Sequence, residues 1–174
     1  MCDSIYNEKA ELRKQILKEI KAYDKKASSS ARACTLLRSH PRFKDSSVIL
    51  AFAPLKTEVD ISPILSDERI LLPYIENGEM KFSRCNALIK SSMGFLEPEI
   101  KREEIYDNAL MLVPLIAYDG HNNRLGRGGG FYDRYISKHR EKLYTIGIAY
   151  PVSYVDRVPT ANTDECLDEI LRIE

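Results

Sequence analysis

Four of the eight glycines in the chain, Gly126, Gly128, Gly129 and Gly130, fall within five positions of the stretch R-L-G-R-G-G-G-F-Y-D-R, Arg124 to Arg134. Glycine loses more backbone freedom on folding than any other residue, so such a cluster is favoured where the main chain takes positive φ or a ligand must reach its N–H groups. The cluster follows an apolar run and a turn (Asp119, Gly120, Asn122, Asn123) and opens into a predicted helix at Phe131. The unsatisfied amides and dipole of a helix N-terminus favour an anion. Arg124 and Arg127 add fixed positive charge and planar donors to the same loop. The chemistry suited to this arrangement is phosphate binding; an ordinary flexible turn is the alternative. The loop is not a P-loop, because no Gly-Lys-Ser/Thr follows, and a dinucleotide fingerprint forced through Gly126 and Gly128 ends on Phe131.

A second source of positive charge lies far away in the chain. At about 100° per residue, Lys9 and Arg13 share a helical stripe with Ile16 and Ile20, so two cations one turn apart point to the core side. One such lysine could snorkel to solvent. Two are better explained by an anionic ligand lodged between this helix and the body of the domain. Among the carboxylates, Asp133 stands one helical turn past the glycines, where a phosphate would repel it unless Mg²⁺ bridged the two. A second metal ligand would come from elsewhere, and spacing does not choose between Asp164 and Asp168. Glu58, Asp60 and Glu97 also fall in or beside irregular segments.

The elements that must position these groups read as follows. Ile5 to Tyr23 is an amphipathic helix, and Ser28 to Arg38 is a second, with a serine run able to cap it and Pro41 marking its limit. Ser47 to Ala53, Arg69 to Ile75 and Leu110 to Tyr118 are short apolar runs of the buried-strand type, Met80 to Cys85 alternates weakly, and Leu143 to Tyr150 returns to strand after a helix from Phe131 to Arg140. Strands alternating with helices imply an α/β layered sheet with parallel pairs. One compact domain spanning residues 1–174 is expected, burying about 70% of the surface its unfolded chain exposes.

Composition excludes several classes. Lys+Arg and Asp+Glu balance at 26 each, so there is no basic surplus to bind a nucleic acid or an anionic membrane. This also weighs against reading the Arg-Gly stretch as an RNA-binding segment. No apolar run approaches the ~20 residues of a membrane span, and the N-terminus lacks a secretion pattern, so a cytoplasmic location is expected. Cys2, Cys34, Cys85 and Cys166 show no C-x-x-C pairing, and His40, His121 and His139 are isolated.

The segment LVPLIAYDGHNNRLGRGGGFYDRYI, residues 112–136, resembles the signature of the 5-formyltetrahydrofolate cyclo-ligase family, also called methenyltetrahydrofolate synthetases. The resemblance extends to K-A-E-L-R (Lys9 to Arg13), Glu58-Val59-Asp60, Leu96-Glu97-Pro98 and the stretch from Val158-Pro159 to Asp164. It implies a three-layer α/β/α sandwich with a mostly parallel or mixed sheet. The implied activity is ATP- and Mg²⁺-dependent cyclisation of 5-formyltetrahydrofolate, with or without a polyglutamate tail, to 5,10-methenyltetrahydrofolate. The formamide oxygen attacks the γ-phosphate of ATP to give a phosphorylated imidate, N10 closes the ring, and ADP and phosphate are released.

Carried over by residue, the resemblance places Lys9 and Arg13 on the ATP phosphates. Arg124, Leu125, Gly126, Arg127, Gly128, Gly129, Gly130, Phe131 and Tyr132 form the nucleotide loop, with Arg127 also near the reacting groups. Lys9 and Arg127 are the catalytic candidates, Asp133 and Asp164 the Mg²⁺ ligands, and Glu58 the partner of the pterin. Ala53 and Tyr132, with Phe52, line the folate site. The pattern departs at Met93 (commonly Trp), Phe131 (often Tyr) and Ile61 (usually Thr), and a Gln often found between Tyr150 and Arg157 is missing. These departures touch substrate affinity rather than any charged position. A monomer with no nucleic-acid or membrane partner is expected. The alternative is a module that binds nucleotide or folate and has lost the chemistry.

Overall fold

In a computed structural model, residues 2–85 and 87–173 are described; Met1, Asn86 and Glu174 lie outside that set, as do the side chains of Cys2 and Asp3. In chain order the helices are α1 (Cys2–Ala22), α2 (Lys26–Ser39), α3 (Pro41–Asp45) and α4 (Phe131–His139). The strands are β1 (Ile49–Leu50), β2 (Ile70–Glu76), β3 (Glu79–Arg84), β4 (Leu88–Lys90), β5 (Leu96–Pro98), β6 (Ala109–Pro114), β7 (Ala117–Tyr118), β8 (Arg124–Leu125), β9 (Leu143–Ile148) and β10 (Glu169–Leu171).

Six strands form the central sheet in the order β10-β9-β6-β1-β2-β3, parallel except for β3, which runs antiparallel to β2 at one edge. The period-2 alternation of side chains divides the core into two clusters. Ile49, Leu72, Leu110, Leu112, Ile146 and Leu171 face α1, α2 and α3 through Ile16, Ile20, Leu37 and Phe43. Leu50, Leu71, Met111, Val113 and Ile170 face the other way, onto Tyr135 and Ile136 of α4. Helices therefore cover both faces, which agrees with the α/β layering expected from the alternating pattern and with the three-layer sandwich that the resemblance implies. Burying side chains such as Ile16 and Ile20, each 1% exposed, contributes about 1.5–3 kcal/mol apiece.

Local differences from the sequence reading have identifiable causes. The run from Leu110 to Tyr118 is not one strand. Pro114 has no N–H to continue the ladder, so the chain leaves the sheet there, and the Ile116 N–H donates to Leu125 O at 2.8 Å, starting the β7–β8 ribbon. The serine run does not cap α2, which begins at Lys26 with no side-chain cap; instead the Ser28 hydroxyl donates back to Lys25 O at 3.0 Å. Pro41 ends α2 and also starts α3, whose first turn is capped by His40 Nδ1 accepting from the Arg42 N–H at 3.2 Å. β4, β5 and β10 are three residues long each, too short to show a period.

Close packing of the second face depends on Gly147 in β9. A Cβ there would lie 2.5 Å from Ile170 Cδ1, 2.7 Å from Leu115 Cδ2 and 2.8 Å from Leu167 Cδ1. Gly147→Ala is accordingly expected to lower unfolding stability by about 1–3 kcal/mol, read as a shift of the urea midpoint at unchanged slope.

Candidate functional site

The switch in winding direction falls between β1 and β6: from β1 the chain runs to β2 on one side and later to β6 on the other. In open α/β sheets ligands sit beyond the strand carboxyl ends at such a point. A cavity of about 770 Å³ lies there, reached by Phe52, Ala53, Leu55 and Glu58 after β1 and by Pro114, Leu115 and Ile116 at the end of β6. That volume is in the range of small-molecule sites.

One part of its lining is charged: Lys9 and Arg13 from α1, the loop from Arg124 through Arg134, and Ala161, Thr163 and Asp164 from a turn before β10. Another part is apolar: Pro73 and Ile75 from β2, Met80 from β3, and Met93, Phe95 and Leu96 from the β4–β5 hairpin. The lining carries five cations and three carboxylates, in a chain whose overall charge is zero.

Each carboxylate is ion-paired to one of the cations. Lys9, 6% exposed, holds Asp164 Oδ2. Arg124 Nη2 donates to Asp133 Oδ1 at 2.8 Å, and Arg127 Nε donates to Glu58 Oε1 at 2.9 Å. Asp133 Oδ1 also accepts the Glu165 N–H at 3.2 Å, and Asp164 Oδ2 accepts the Ala161 N–H at 2.6 Å, so both carboxylates bracket the same turn. Within the described residues, the second oxygen of each has no hydrogen bond, leaving Asp133 Oδ2 and Asp164 Oδ1 as hard oxygen donors. Asp168, the competing choice, instead ties β9 to the approach to β10 by accepting from Thr145 N–H, Thr145 Oγ1–H and Arg140. It does not line the cavity, nor do Asp60 and Glu97, which hold Ser62 and Lys101.

The glycine loop is built for close approach. Arg13 Nε donates to Gly126 O at 2.7 Å, and Gly128 takes φ +99°, a conformation that residues with a Cβ rarely adopt. Gly130 caps α4 in the left-handed region with no side-chain bond, so no cap side chain competes for the first-turn amides bordering the cavity. Arg124 has its Nε buried and without a hydrogen-bond partner among the described residues, and its guanidinium carbon lies 5.7 Å from the centre of the Tyr132 ring. Burial, and secondarily the Glu58 charge, pushes the Tyr132 phenol well above its ordinary pKa, so it stays a neutral donor. Phe131 borders the cavity under the Arg134 guanidinium, whereas the Leu125 side chain, 1% exposed, packs into the core.

Sequence reasoning singled out Met93 but missed the rest of the apolar wall, whose residues come from β2, the edge strand β3 and the β4–β5 hairpin, and missed the two groups that hold the charged wall. Thr57 Oγ1 accepts from Arg127 Nη2 at 2.7 Å. Asp119, read only as a turn residue, is 2% exposed and accepts from His121 N–H and Asn123 N–H on Oδ1, and from Asn123 Nδ2 and Val158 N–H on Oδ2. It ties the turn before β8 to the segment that leads to Asp164. Among the described residues no three His, Cys, Asp or Glu side chains gather as a metal site, and no helix is long and apolar enough to cross a membrane. Cys34, Cys85 and Cys166 are free thiols.

Fold and cavity define an α/β protein with a cavity lined by both charged and apolar residues at the switch point of its sheet. The chain belongs to the 5-formyltetrahydrofolate cyclo-ligase family, whose model matches residues 5–172. It is 29% identical to the mitochondrial 5-formyltetrahydrofolate cyclo-ligase of Arabidopsis thaliana over 86% of this chain and 65% of that protein. It is 24% identical to the Escherichia coli K12 5-formyltetrahydrofolate cyclo-ligase over 76% of this chain and 81% of that one. The chain thus spans just under two thirds of the plant relative's length. The structure of the Aquifex aeolicus 5,10-methenyltetrahydrofolate synthetase superposes with a TM-score of 0.77 at 27% identity, covering 93% of this chain and 88% of that one. The Mycoplasma pneumoniae synthetase gives 0.71 at 25% identity, covering 95% and 99%.

Asp119 supplies a test of how the site is held. Burial alone would raise its pKa, but the hydrogen bonds from Val158, Asn123 and His121 outweigh burial and hold it below the usual carboxylate value. A depressed folded-state pKa gives stability that is fully present above the unfolded value of about 4 and is lost as pH falls through the folded value. Asp119→Asn turns one acceptor into a donor facing two other donors. Near neutral pH it is expected to cost about 2–4 kcal/mol of unfolding free energy, the gap to wild type closing in urea titrations below about pH 4.

Proposed function

We propose that this protein catalyses the ATP- and Mg²⁺-dependent cyclisation of 5-formyltetrahydrofolate to 5,10-methenyltetrahydrofolate, releasing ADP and phosphate. The observation that carries the reading is the division of one cavity between phosphate-seeking groups (Lys9, Arg13, the Gly126–Gly130 backbone and the α4 N-terminus) and an apolar wall beside a buried carboxylate, Glu58. The names of the relatives support it.

In this reading Lys9 and Arg13 take the phosphates of ATP, with Arg124 supporting the loop. Glu58 accepts from the amide-and-amine edge of the pterin, and Phe52, Ala53 and Tyr132 border the folate. Arg127, within reach of both ligands, neutralises charge as the formyl oxygen attacks the γ-phosphorus and the β–γ bridging oxygen leaves with ADP. N10 then adds to the activated carbon and gives up its proton, and phosphate departs carrying the former formyl oxygen. Phosphoryl transfer of this kind needs positioning and charge neutralisation rather than a protein nucleophile.

The donor set fits Mg²⁺, which is bound through one or two carboxylates and completes its shell with phosphate oxygens and water. Asp133 and Asp164 would hold it through their free oxygens. When bound, it offsets negative charge on the phosphates.

Incubating the purified protein with 5-formyltetrahydrofolate, ATP and Mg²⁺ should produce the near-ultraviolet band of the methenyl product. Absence of the band, or a band independent of ATP, overturns the proposal. Lys9→Met keeps the buried stem while removing the charge and should lower kcat/KM about 100-fold with an unchanged circular dichroism spectrum.

A further inference from the structure

We propose that Thr57 is a positioning residue that holds Arg127 on Glu58, and that opening this contact couples nucleotide binding to folate binding. The inference rests on the function proposed above, which gives Arg127 to the reacting phosphate and formyl groups and Glu58 to the pterin.

Arg127 donates from Nε to Glu58 Oε1 at 2.9 Å and from Nη2 to Thr57 Oγ1 at 2.7 Å. Glu58 itself is fixed: Oε2 accepts the Leu55 N–H at 2.8 Å, and its carbonyl accepts the Tyr150 hydroxyl at 2.9 Å. The exchangeable partner is therefore the one on Oε1. Exposure decides which side moves, because the Arg127 side chain is 42% exposed and that of Glu58 8%. A long, half-open guanidinium swings at little cost, whereas a carboxylate so buried needs another strong donor once the guanidinium leaves.

Pterin donors on Oε1 displace Arg127 and free it for phosphate. Phosphate on Arg127 in turn frees Oε1 for the pterin. While the two residues hold each other, Arg127 can offer a phosphate only Nη1 and one Nη2 proton and Glu58 Oε1 only one lone pair, so each ligand gains its full set of contacts when the other has opened the pair, and the coupling is reciprocal. Thr57 does not border the cavity, yet its hydroxyl stabilises the closed contact, so it acts on both ligands through Arg127.

The test is calorimetric titration of the Mg²⁺ complex of a non-hydrolysable ATP analogue, with and without saturating 5-formyltetrahydrofolate. For the wild-type protein the folate should tighten analogue binding about 5-fold or more, with the same factor in the reverse experiment. Thr57→Val should tighten analogue binding in the absence of folate by roughly 2- to 10-fold while leaving the affinity in its presence unchanged, so the coupling factor shrinks. Thr57→Ser, which keeps the hydroxyl, should behave as wild type. A residue with a merely structural role would weaken both affinities together. A wild-type coupling factor of one, or a Thr57→Val protein with unchanged or weakened analogue binding, overturns the proposal even where methenyl product forms normally. No analogue binding and no methenyl band in the same preparation overturns the underlying function as well.

Discussion

Like charges gathered around one cavity repel one another, and the arrangement of this site follows from that constraint. Two unit charges about 4 Å apart interact by about 4 kcal/mol at the effective dielectric of a protein surface. The chain answers the repulsion by ion-pairing three of its five cavity cations to carboxylates within hydrogen-bond reach, Lys9 to Asp164, Arg124 to Asp133 and Arg127 to Glu58. Arg13 is satisfied differently, by the carbonyl of Gly126. These contacts join α1, the segment after β1, the glycine loop and the turn at 161–164, which are distant in sequence. The same interactions that keep the cations together thus assemble the walls of the site.

The pairs can form because the scaffold beneath them is rigid. Parallel strands whose two faces are both covered bring the ends of β1 and β6 side by side, and Pro114 ejects the chain from the sheet where the ribbon carrying Arg124 must begin. Asp119 then fixes the turn between β7 and β8 and, through Val158, the segment leading to Asp164. Gly147 lets Leu115 and Leu167, which flank these two segments in sequence, pack against β9.

What could be read from the sequence was whatever local pattern specifies. Helical spacing placed Lys9 and Arg13 on the stripe of Ile16 and Ile20, and Lys9 is indeed buried beside them. The glycine cluster announced a loop of close approach opening into α4, and the apolar runs announced buried strands. Three kinds of information were not local. The choice between Asp164 and Asp168 depended on which carboxylate the fold turned toward α1 and which toward Arg140 and Thr145. The roles of Thr57 and Asp119 lie in partners up to 70 residues away, and short polar side chains near turns look alike in sequence. The apolar wall gathers Pro73 and Ile75 of β2, Met80 of the edge strand β3 and the exposed Met93 and Leu96 of a hairpin, and no local period says that these separate segments face one cavity.

The self-neutralised site also bears on how a polyphosphate would be received. A phosphate taking Lys9 would leave Asp164 beside it, and one reaching the loop over Arg124 would meet Asp133, so each attraction exposes a matching repulsion. On the proposed function, Asp133 and Asp164 would hold a divalent cation through their free oxygens, whose charge would offset both repulsions and leave the Lys9 ammonium and Arg124 guanidinium available to the anion. The metal and the nucleotide are then favoured as one complex, since either alone leaves like charges facing each other in a partly buried space. Arg127 stands apart from this exchange. Its carboxylate, Glu58, is held from behind by the Leu55 N–H, and on the proposed function it would answer to the folate, so Arg127 would be the cavity cation whose partner is not a metal-ligand candidate and which stands between the two substrates.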